Sequence, residues 1–118
     1  MPGADEPATA EIDPERLAAW MTEQPQLQVI DVRQTFERDA GHIAGTDHIE
    51  LVELPGKAAV LSREQPVVFY CRVGNRSLMA AQAFRASGFE AYSLQGGLVR
   101  WAQEGRALEP AGGYVAED

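Results

Sequence analysis

The sequence predicts an α/β protein in which an open parallel sheet is covered by helices on both faces. Short apolar segments of strand length alternate along the chain with longer amphipathic or alanine-rich segments. Glycine or proline stands at most of the boundaries between them. With 118 residues, of which 45% are hydrophobic and 24% charged, the chain has the size and composition of one compact domain.

The domain is predicted to begin with a helix. Asp13 can cap that helix, and Pro14 suits its first position. Leu17, Trp20 and Met21 would then share one apolar face. The predicted elements that follow are a buried strand over residues 27–32, a short helix over 34–40 that ends at Gly41, a loop over 41–46, a short strand over 48–51, and a helix over 52–62 that Pro55 and Gly56 interrupt near its start.

The second half begins with an apolar strand over residues 66–70 and a loop over 71–77. An alanine-rich helix over 78–87 ends at Gly88, and another strand covers 91–94. Gly96–Gly97 separates that strand from a last helix, and Trp20 and Trp101 are expected to pack in the core. We expect a flexible lead-in over residues 1–10, a domain over 11–109, and a tail over 110–118 that is disordered or lies on the surface.

The composition argues against several classes of function. A net charge of -8 is unfavourable for a general nucleic-acid-binding or acidic-membrane surface. No apolar run approaches the roughly 20 residues that span a bilayer. The single cysteine allows no internal disulfide, and the first residues do not resemble a signal peptide, so we expect a cytoplasmic protein. No Cys/His cluster has the spacing of metal ligands, and we expect neither a metal nor a cofactor.

Positive charge is concentrated in one part of the chain. Between Arg63 and Arg106 there are six arginines against three glutamates. The acidic remainder is typical of solvated termini and outer helices. The positive excess falls on the segment with the cysteine, as a small anionic ligand would require.

Cys71 is predicted to lie where a strand ends and a loop leads into a helix. Free backbone N–H groups and the helix dipole favour negative charge on a thiol in this position. Arg72 and Arg76 flank the thiol, Gly74 allows tight curvature, and Asn75 tolerates unusual dihedral angles. A cysteine without such a context is most often inert filler in a core. This context favours a reactive nucleophile.

Four motifs follow one another along the chain: Asp31-Val32-Arg33 with Glu37, Gly41-His42-Ile43-Ala44-Gly45-Thr46, Cys71-Arg72-Val73-Gly74-Asn75-Arg76-Ser77, and Gly96-Gly97 followed by Trp101. Taken together in this order, they resemble the rhodanese family of sulfurtransferases over nearly the whole chain, from about Ile12 to Leu108, with the Cys71 motif as the active loop. The resemblance implies a rhodanese-like open sheet of five parallel strands with helices on both faces. Ala44 stands where many members have proline, which would make that turn less rigid.

The resemblance also implies a reaction. Cys71 would attack the outer sulfur of thiosulfate or a similar donor, release sulfite, and hold the sulfur as a persulfide. A thiophilic acceptor, either cyanide or a thiol (including a protein thiol), would then remove it. The backbone N–H groups that would surround the persulfide belong to Arg72, Val73, Gly74, Asn75, Arg76 and Ser77. We expect a monomer or a weak dimer.

Loop length separates this chemistry from related ones. Four residues lie between Cys71 and Arg76. Phosphatases and arsenate reductases with a similar loop have one residue more, and their wider ring fits a tetrahedral oxyanion. The shorter ring fits a single sulfur and makes ester hydrolysis the weaker alternative. A non-enzymatic persulfide carrier or sulfur sensor would use the same loop, and the sequence leaves it open.

Asp31, Arg33 and His42 are expected to support the loop. In the family, the arginine at the position of Arg76 often pairs with an aspartate placed like Asp31, and such a pair would hold the loop closed. Arg33 is expected to form an ion pair of little energetic value with Glu37, and His42 to order the 41–46 loop by hydrogen bonding. Whether Arg72 touches the substrate stays open.

His48 has no partner that the sequence identifies.

We expect Cys71→Ala to abolish turnover at little cost in stability, because the change is small and lies in a loop.

Overall fold

The computed structural model describes residues 9–117 and confirms the predicted fold class. Five parallel strands form one sheet in the order β1-β5-β4-β2-β3. The strands are β1 (Glu11–Ile12), β2 (Gln28–Asp31), β3 (Asp47–His48), β4 (Val67–Tyr70) and β5 (Ala91–Leu94). The helices are α1 (Pro14–Glu23), α2 (Thr35–Ala40), α3 (Leu54–Lys57), α4 (Asn75–Ala86) and α5 (Gly97–Gln103).

The structure differs from the predicted elements mainly where elements are short. The sequence did not predict β1, because a strand of two residues is too short to show a periodic pattern of apolar residues. β3 covers Asp47–His48 rather than 48–51. The predicted helix over 52–62 is a single α-turn, α3, between two 3-10 turns at Leu51–Glu53 and Ala58–Val60.

The N-terminal part of the predicted lead-in, residues 1–8, lies outside the described residues. Ala10, by contrast, is tied to the sheet, since its carbonyl accepts the N–H of Ser93 at 2.6 Å. The predicted start of α1 is confirmed. The side chain of Asp13 accepts the N–H of Arg16 at 2.8 Å, and Pro14 is the first helical residue.

Alternation along the central strand β4 divides the core into two layers. Val67 and Phe69 face one layer with α4, and Cys71 continues this face. Val68 and Tyr70 face the other layer. Trp20 and Trp101 are buried in that second layer, as predicted. The sheet is therefore covered on both faces, and the thiol side chain lies on the α4 side.

The chain after α5 folds back over the end of α2. His42 and Glu109 exchange backbone hydrogen bonds of 2.9 and 2.7 Å, and the N–H of Tyr114 donates to the carbonyl of Ala40 at 2.9 Å. Gly41 directly follows the last residue of α2, as predicted, and its φ of 174° is ordinary extended backbone that any residue can adopt. Glycine is needed there for space, because a Cβ would lie 2.5 Å from the carbonyl oxygen of Tyr114.

Candidate active site

The sheet places Cys71 at the carboxyl edge of a central strand. β4 lies between β2 and β5, and Cys71 is the first residue after it. Ligands of open parallel sheets bind outside this edge of the strands. The chain turns at Gly74, which has a φ of 107°, and enters α4 at Asn75. The helix therefore begins three residues earlier than predicted, inside the Cys71 loop (residues 71–77).

Two backbone amides of the loop point at the sulfur. The N–H of Gly74 donates to Cys71 Sγ at 3.1 Å, and the N–H of Ser77 donates at 3.4 Å. The second belongs to the first turn of α4, where backbone N–H groups have no partner within the helix. Cys71 itself is only 1% exposed. The sulfur is thus bound by two loop amides, and the residue is shielded from solvent.

The first turn of α5 fixes the other side of the loop. The N–H groups of Leu98 and Val99 donate to the carbonyls of Cys71 and Arg72 at 2.9 and 3.0 Å. This contact needs Gly97, whose φ is +60° and whose Cβ, if present, would lie 2.5 Å from the Arg72 oxygen. With these two carbonyls bound to α5, the loop directs two of its amides, those of Gly74 and Ser77, toward the sulfur. Gly96–Gly97 therefore shapes the site directly.

A pair of buried hydroxyl groups adjoins the sulfur. Ser77 Oγ lies 3.4 Å from Cys71 Sγ and 2.7 Å from Ser93 Oγ, and it is 3.3 Å from the carbonyl oxygen of Gly74. Both serines are fully buried. The amide and hydroxyl groups of Ser77 therefore both face the sulfur.

Arg76 binds Glu37 of α2 and not Asp31, so the predicted partner was wrong. Its two terminal nitrogens donate to the two carboxylate oxygens at 2.8 and 2.9 Å, and the backbone N–H of Gln34 donates to the same carboxylate at 3.0 Å. Burial alone would raise the pKa of Glu37, but the hydrogen bonds from Arg76 and Gln34 and the charges of Arg76 and Arg33 outweigh it and lower that pKa. The pair joins α2 to the loop.

Asp31 binds Arg33 instead. The Asp31 carboxylate accepts the Arg33 backbone N–H at 3.0 Å and its guanidinium at 2.8 and 2.7 Å. Arg33 also donates to the carbonyl of Gly41 at 2.7 Å. Burial disfavours the charged form of Arg33, but the bonds to Asp31 outweigh this and raise its pKa. The expected surface pair of Arg33 with Glu37 is thus replaced by two pairs with other partners, in which Asp31, Arg33 and Glu37 are fully buried and Arg76 is partly exposed.

The two histidines bind backbone carbonyls. His42 Nδ1 lies 3.1 Å from the carbonyl oxygen of Arg38, at the end of α2, and its backbone pairs with Glu109. His42 therefore orders the end of α2 and the segment around Glu109. His48 Nε2 lies 2.7 Å from the carbonyl oxygen of Arg33, a partner that the sequence did not indicate.

Tyr70 orders the 41–46 loop. Its hydroxyl lies 2.9 Å from Thr46 Oγ1 and accepts the N–H of Ile43 at 3.2 Å. Burial, followed by the nearby charge of Asp31, raises the pKa of Tyr70 to about 12. The group therefore stays neutral and can keep these bonds at any physiological pH.

The remaining loop residues form the outer surface of the site. Val73 and Asn75 are exposed, and Arg72 is half-buried. Among the described residues, Arg72 Nε and Arg33 Nη1 are the buried side-chain nitrogens without a hydrogen-bond partner. Arg72 thus follows Cys71 directly in the chain and has one buried donor nitrogen without a partner.

Sequence reasoning missed three features of this site. The partnership of Glu37 with Arg76 is one, and the burial of Glu37 could not be inferred from a polar helix start. Ser93 is another, and a signal for it existed: it is the polar residue in the apolar strand β5. The third is the bond of His48 to the Arg33 carbonyl, for which the sequence offers no signal.

Within residues 9–117, no group of three or more His, Cys, Asp or Glu side chains could hold a metal ion. No helix in the same range is both long and apolar enough to cross a membrane.

These features define an α/β protein with a thiol held by backbone amides at the carboxyl edge of a parallel sheet. The rhodanese-like domain family matches residues 13–104, and the chain belongs to that family. A rhodanese-related protein of Thermoplasma volcanium has a similar structure, with a TM-score of 0.77 and 29% identity, covering 85% of this chain and 97% of its own.

Curated relatives include enzymes named for sulfur transfer. The thiosulfate sulfurtransferase GlpE of Pseudomonas aeruginosa is 36% identical over 85 residues, covering 71% of this chain and 74% of that protein. The tRNA sulfurtransferase of Desulfurococcus amylolyticus is 43% identical over 75 residues, covering 62% of this chain. The probable adenylyltransferase/sulfurtransferase MoeZ of Mycobacterium tuberculosis is 38% identical over 96 residues, covering 79% of this chain. The matched regions span only 14% and 24% of the last two proteins.

Proposed function

We propose that this protein is a thiosulfate sulfurtransferase that carries a sulfur atom as a persulfide on Cys71. The observation that carries the proposal is the pair of amides, from Gly74 and Ser77, that donate to Cys71 Sγ at 3.1 and 3.4 Å. Amide donors favour an anionic sulfur, and both the thiolate and the persulfide are anionic. Family membership and the relatives named as sulfurtransferases support the same reaction class.

The proposed reaction has two displacement steps. In the first, the Cys71 thiolate attacks the outer sulfur of thiosulfate, the S–S bond of the donor breaks, and sulfite leaves with the bonding electron pair. The resulting persulfide keeps one negative charge. In the second, cyanide or a thiolate attacks the terminal sulfur, and the Cys71 thiolate leaves. No redox cofactor is required, since sulfur and charge are balanced in each step.

The surroundings of the thiol suit a small anionic donor. Arg72, the next residue in the chain, is half-buried and has an unpaired donor nitrogen, while Arg76 binds Glu37 as part of the loop support. A persulfide extends one atom beyond Sγ, where the loop amides and the first turn of α4 would stabilise its charge. Four residues separate Cys71 from Arg76, and a ring of this length fits a single sulfur atom better than a tetrahedral oxyanion, so phosphatase or arsenate reductase activity is the weaker alternative.

Steady-state kinetics test the proposal. With thiosulfate as donor and cyanide as acceptor, we expect thiocyanate formation with parallel double-reciprocal plots, because the donor product leaves before the acceptor binds. Cys71→Ser should form no thiocyanate. Equal turnover by the wild-type chain and Cys71→Ser would contradict the proposal.

The acceptor in the cell is proposed to be a thiol, on a small molecule or on a protein. A reducing cytoplasm would keep Cys71 available. Slow turnover with cyanide, together with fast transfer of the Cys71 sulfur to a protein thiol, would indicate a persulfide carrier in place of a multiple-turnover enzyme.

A further inference from the structure

A chain of two hydroxyl groups leads from the centre of the sheet to the sulfur. Ser93 lies on β5 and is fully buried, and its Oγ is 2.7 Å from Ser77 Oγ. Ser77 Oγ in turn lies 3.4 Å from Cys71 Sγ. A hydroxyl group in an apolar strand loses its hydration on burial, and this loss is offset only if the group is used in a hydrogen bond.

The direction of these bonds follows from counting hydrogens. Each hydroxyl has one hydrogen. Among the described residues, Ser77 Oγ is the hydrogen-bond partner found for the Ser93 hydroxyl. If Ser77 donated to Ser93, the Ser93 hydrogen would be buried without an acceptor, which is unfavourable. Ser93 is therefore the donor, and the hydrogen of Ser77 is left for another acceptor.

Two acceptors compete for the hydrogen of Ser77. The carbonyl oxygen of Gly74 lies at 3.3 Å and Cys71 Sγ at 3.4 Å. A neutral thiol is a weak acceptor, whereas an anionic sulfur is a strong one. Rotation of the Ser77 hydroxyl toward Sγ would thus follow the charge on the sulfur.

We propose that Ser93 is a positioning residue of the reaction centre, whose hydroxyl orients Ser77 to donate to the Cys71 sulfur when that sulfur is anionic. The Ser77 hydrogen stays on its oxygen throughout, and no covalent bond changes. The bond from Ser93 also polarises the Ser77 hydroxyl and strengthens its donation. The persulfide part of this inference rests on the proposed function, and the thiolate part does not.

Alkylation of Cys71 by iodoacetamide tests the inference without any sulfur donor. In Ser93→Ala, we expect the alkylation rate near neutral pH to fall about two- to fivefold, and the midpoint of its pH profile to move upward, because the thiolate loses support. Ser93→Thr keeps a hydroxyl and should keep the wild-type midpoint. Thr46→Val is the matched control, since it removes a buried hydroxyl that bonds Tyr70 and the Ile43 carbonyl, away from Cys71. Its midpoint should not move.

The double variant Ser77→Ala/Ser93→Ala shows whether Ser93 acts through Ser77. We expect the alkylation profile of the double variant to equal that of Ser77→Ala. An unchanged midpoint in Ser93→Ala, or an equal shift with and without Ser77, would overturn the proposal.

A measurement on the wild-type chain guards against a Ser93 variant that does not fold. The ¹³Cβ chemical shifts of Ser77 and Ser93 should both change at the alkylation midpoint. A pH-independent Ser93 signal would contradict the proposal. If Ser77 and Ser93 respond to the charge on Cys71 as expected but the protein does not turn over thiosulfate, the proposed function would be wrong and the role of Ser93 would still hold.

Discussion

At the residue scale, the Cys71 sulfur is a buried hydrogen-bond acceptor as well as a candidate nucleophile. Its two amide donors, from Gly74 and Ser77, are themselves buried. This changes the expectation from the sequence that alanine at position 71 would cost little. Removing the sulfur leaves both N–H groups without their acceptor, and an unsatisfied buried donor costs about 1–3 kcal/mol.

We therefore predict different stabilities for two inactive variants. Cys71→Ala should lower the free energy of unfolding by about 1–3 kcal/mol. Cys71→Ser keeps an acceptor for the amides and should stay closer to the wild type, although neither variant should transfer sulfur. Urea unfolding combined with a thiocyanate assay measures both effects. Equal stabilities for the two variants would show that the amide bonds to Sγ are not formed.

The Glu37–Arg76 pair should make stability depend on acid. The pKa of Glu37 is lowered in the folded protein from its ordinary value of 4.5. The stabilisation is therefore complete above pH 4.5 and is lost as the pH falls through the lower folded value. In Glu37→Gln, this part of the acid dependence should vanish. Urea unfolding from about pH 6 to about pH 3 measures it.

At neutral pH, Glu37→Gln should cost about 2–3 kcal/mol, below the full value for a buried pair, because Arg76 is partly exposed to water. Glu53→Gln is the control, since Glu53 pairs with Lys57 at 3.6 Å on the surface and should contribute under about 0.5 kcal/mol. Equal costs for the two variants would contradict the assigned role of Glu37.

At the scale of elements, two helix starts build the site. The first turn of α4 supplies the amide and hydroxyl of Ser77, and the first turn of α5 binds the carbonyls of Cys71 and Arg72. The backbone of the Cys71 loop is thus held on both sides, its amides toward the sulfur and its carbonyls toward α5. Gly97 makes the second contact possible.

Gly97→Ala should damage both stability and activity. The new Cβ would overlap the carbonyls of Arg72 and Cys71 at 2.5 and 2.7 Å, and the loop would have to shift. Gly105→Ala separates this effect from backbone strain, since Gly105 has a φ of +79° but nothing within 4 Å of its Cβ position. In both variants the free energy of unfolding should fall by about 1–2 kcal/mol, because alanine is strained in a left-handed backbone conformation. Only Gly97→Ala should also lose thiocyanate formation. Full activity in Gly97→Ala would contradict the role of α5.

The sequence predicts elements well where a period extends over at least four residues. β5 is found at the predicted residues, and β4 starts one residue late. β1 and β3 have two residues each and carry no pattern. The start of α4 was placed late because Asn75, Arg76 and Ser77 are polar, as loop residues are. Which carboxylate meets Arg76 depends on how α2 packs over the loop, and no local pattern contains that information.

At the scale of the whole molecule, the chain after α5 is part of the folded unit. Tyr114 approaches Gly41 so closely that only glycine fits, and Val115 packs against the second core layer. This contact holds the end of α2, and α2 carries Glu37. The tail therefore supports the site from a distance.

Removing residues 110–118 should lower the free energy of unfolding by about 1–2 kcal/mol, through the lost hydrogen bond to Ala40 and lost apolar packing. Gly41→Ala should destabilise the full chain and be nearly neutral in the shortened one, because the three atoms nearest to its Cβ position all belong to Tyr114. Gly56→Ala, with open space at its Cβ position, is the control. Equal effects of Gly41→Ala in both chains would show that the tail does not lie as described.

The central claim is that the Cys71 loop holds one extra sulfur atom on Cys71. Incubation with thiosulfate, followed by intact-mass and peptide mass spectrometry without reducing agent, tests it most directly. We predict a mass increase of one sulfur atom, located on the peptide that contains Cys71, absent in Cys71→Ser, and removed by cyanide. An unmodified Cys71 at saturating thiosulfate, or an adduct that persists in Cys71→Ser, would contradict the account.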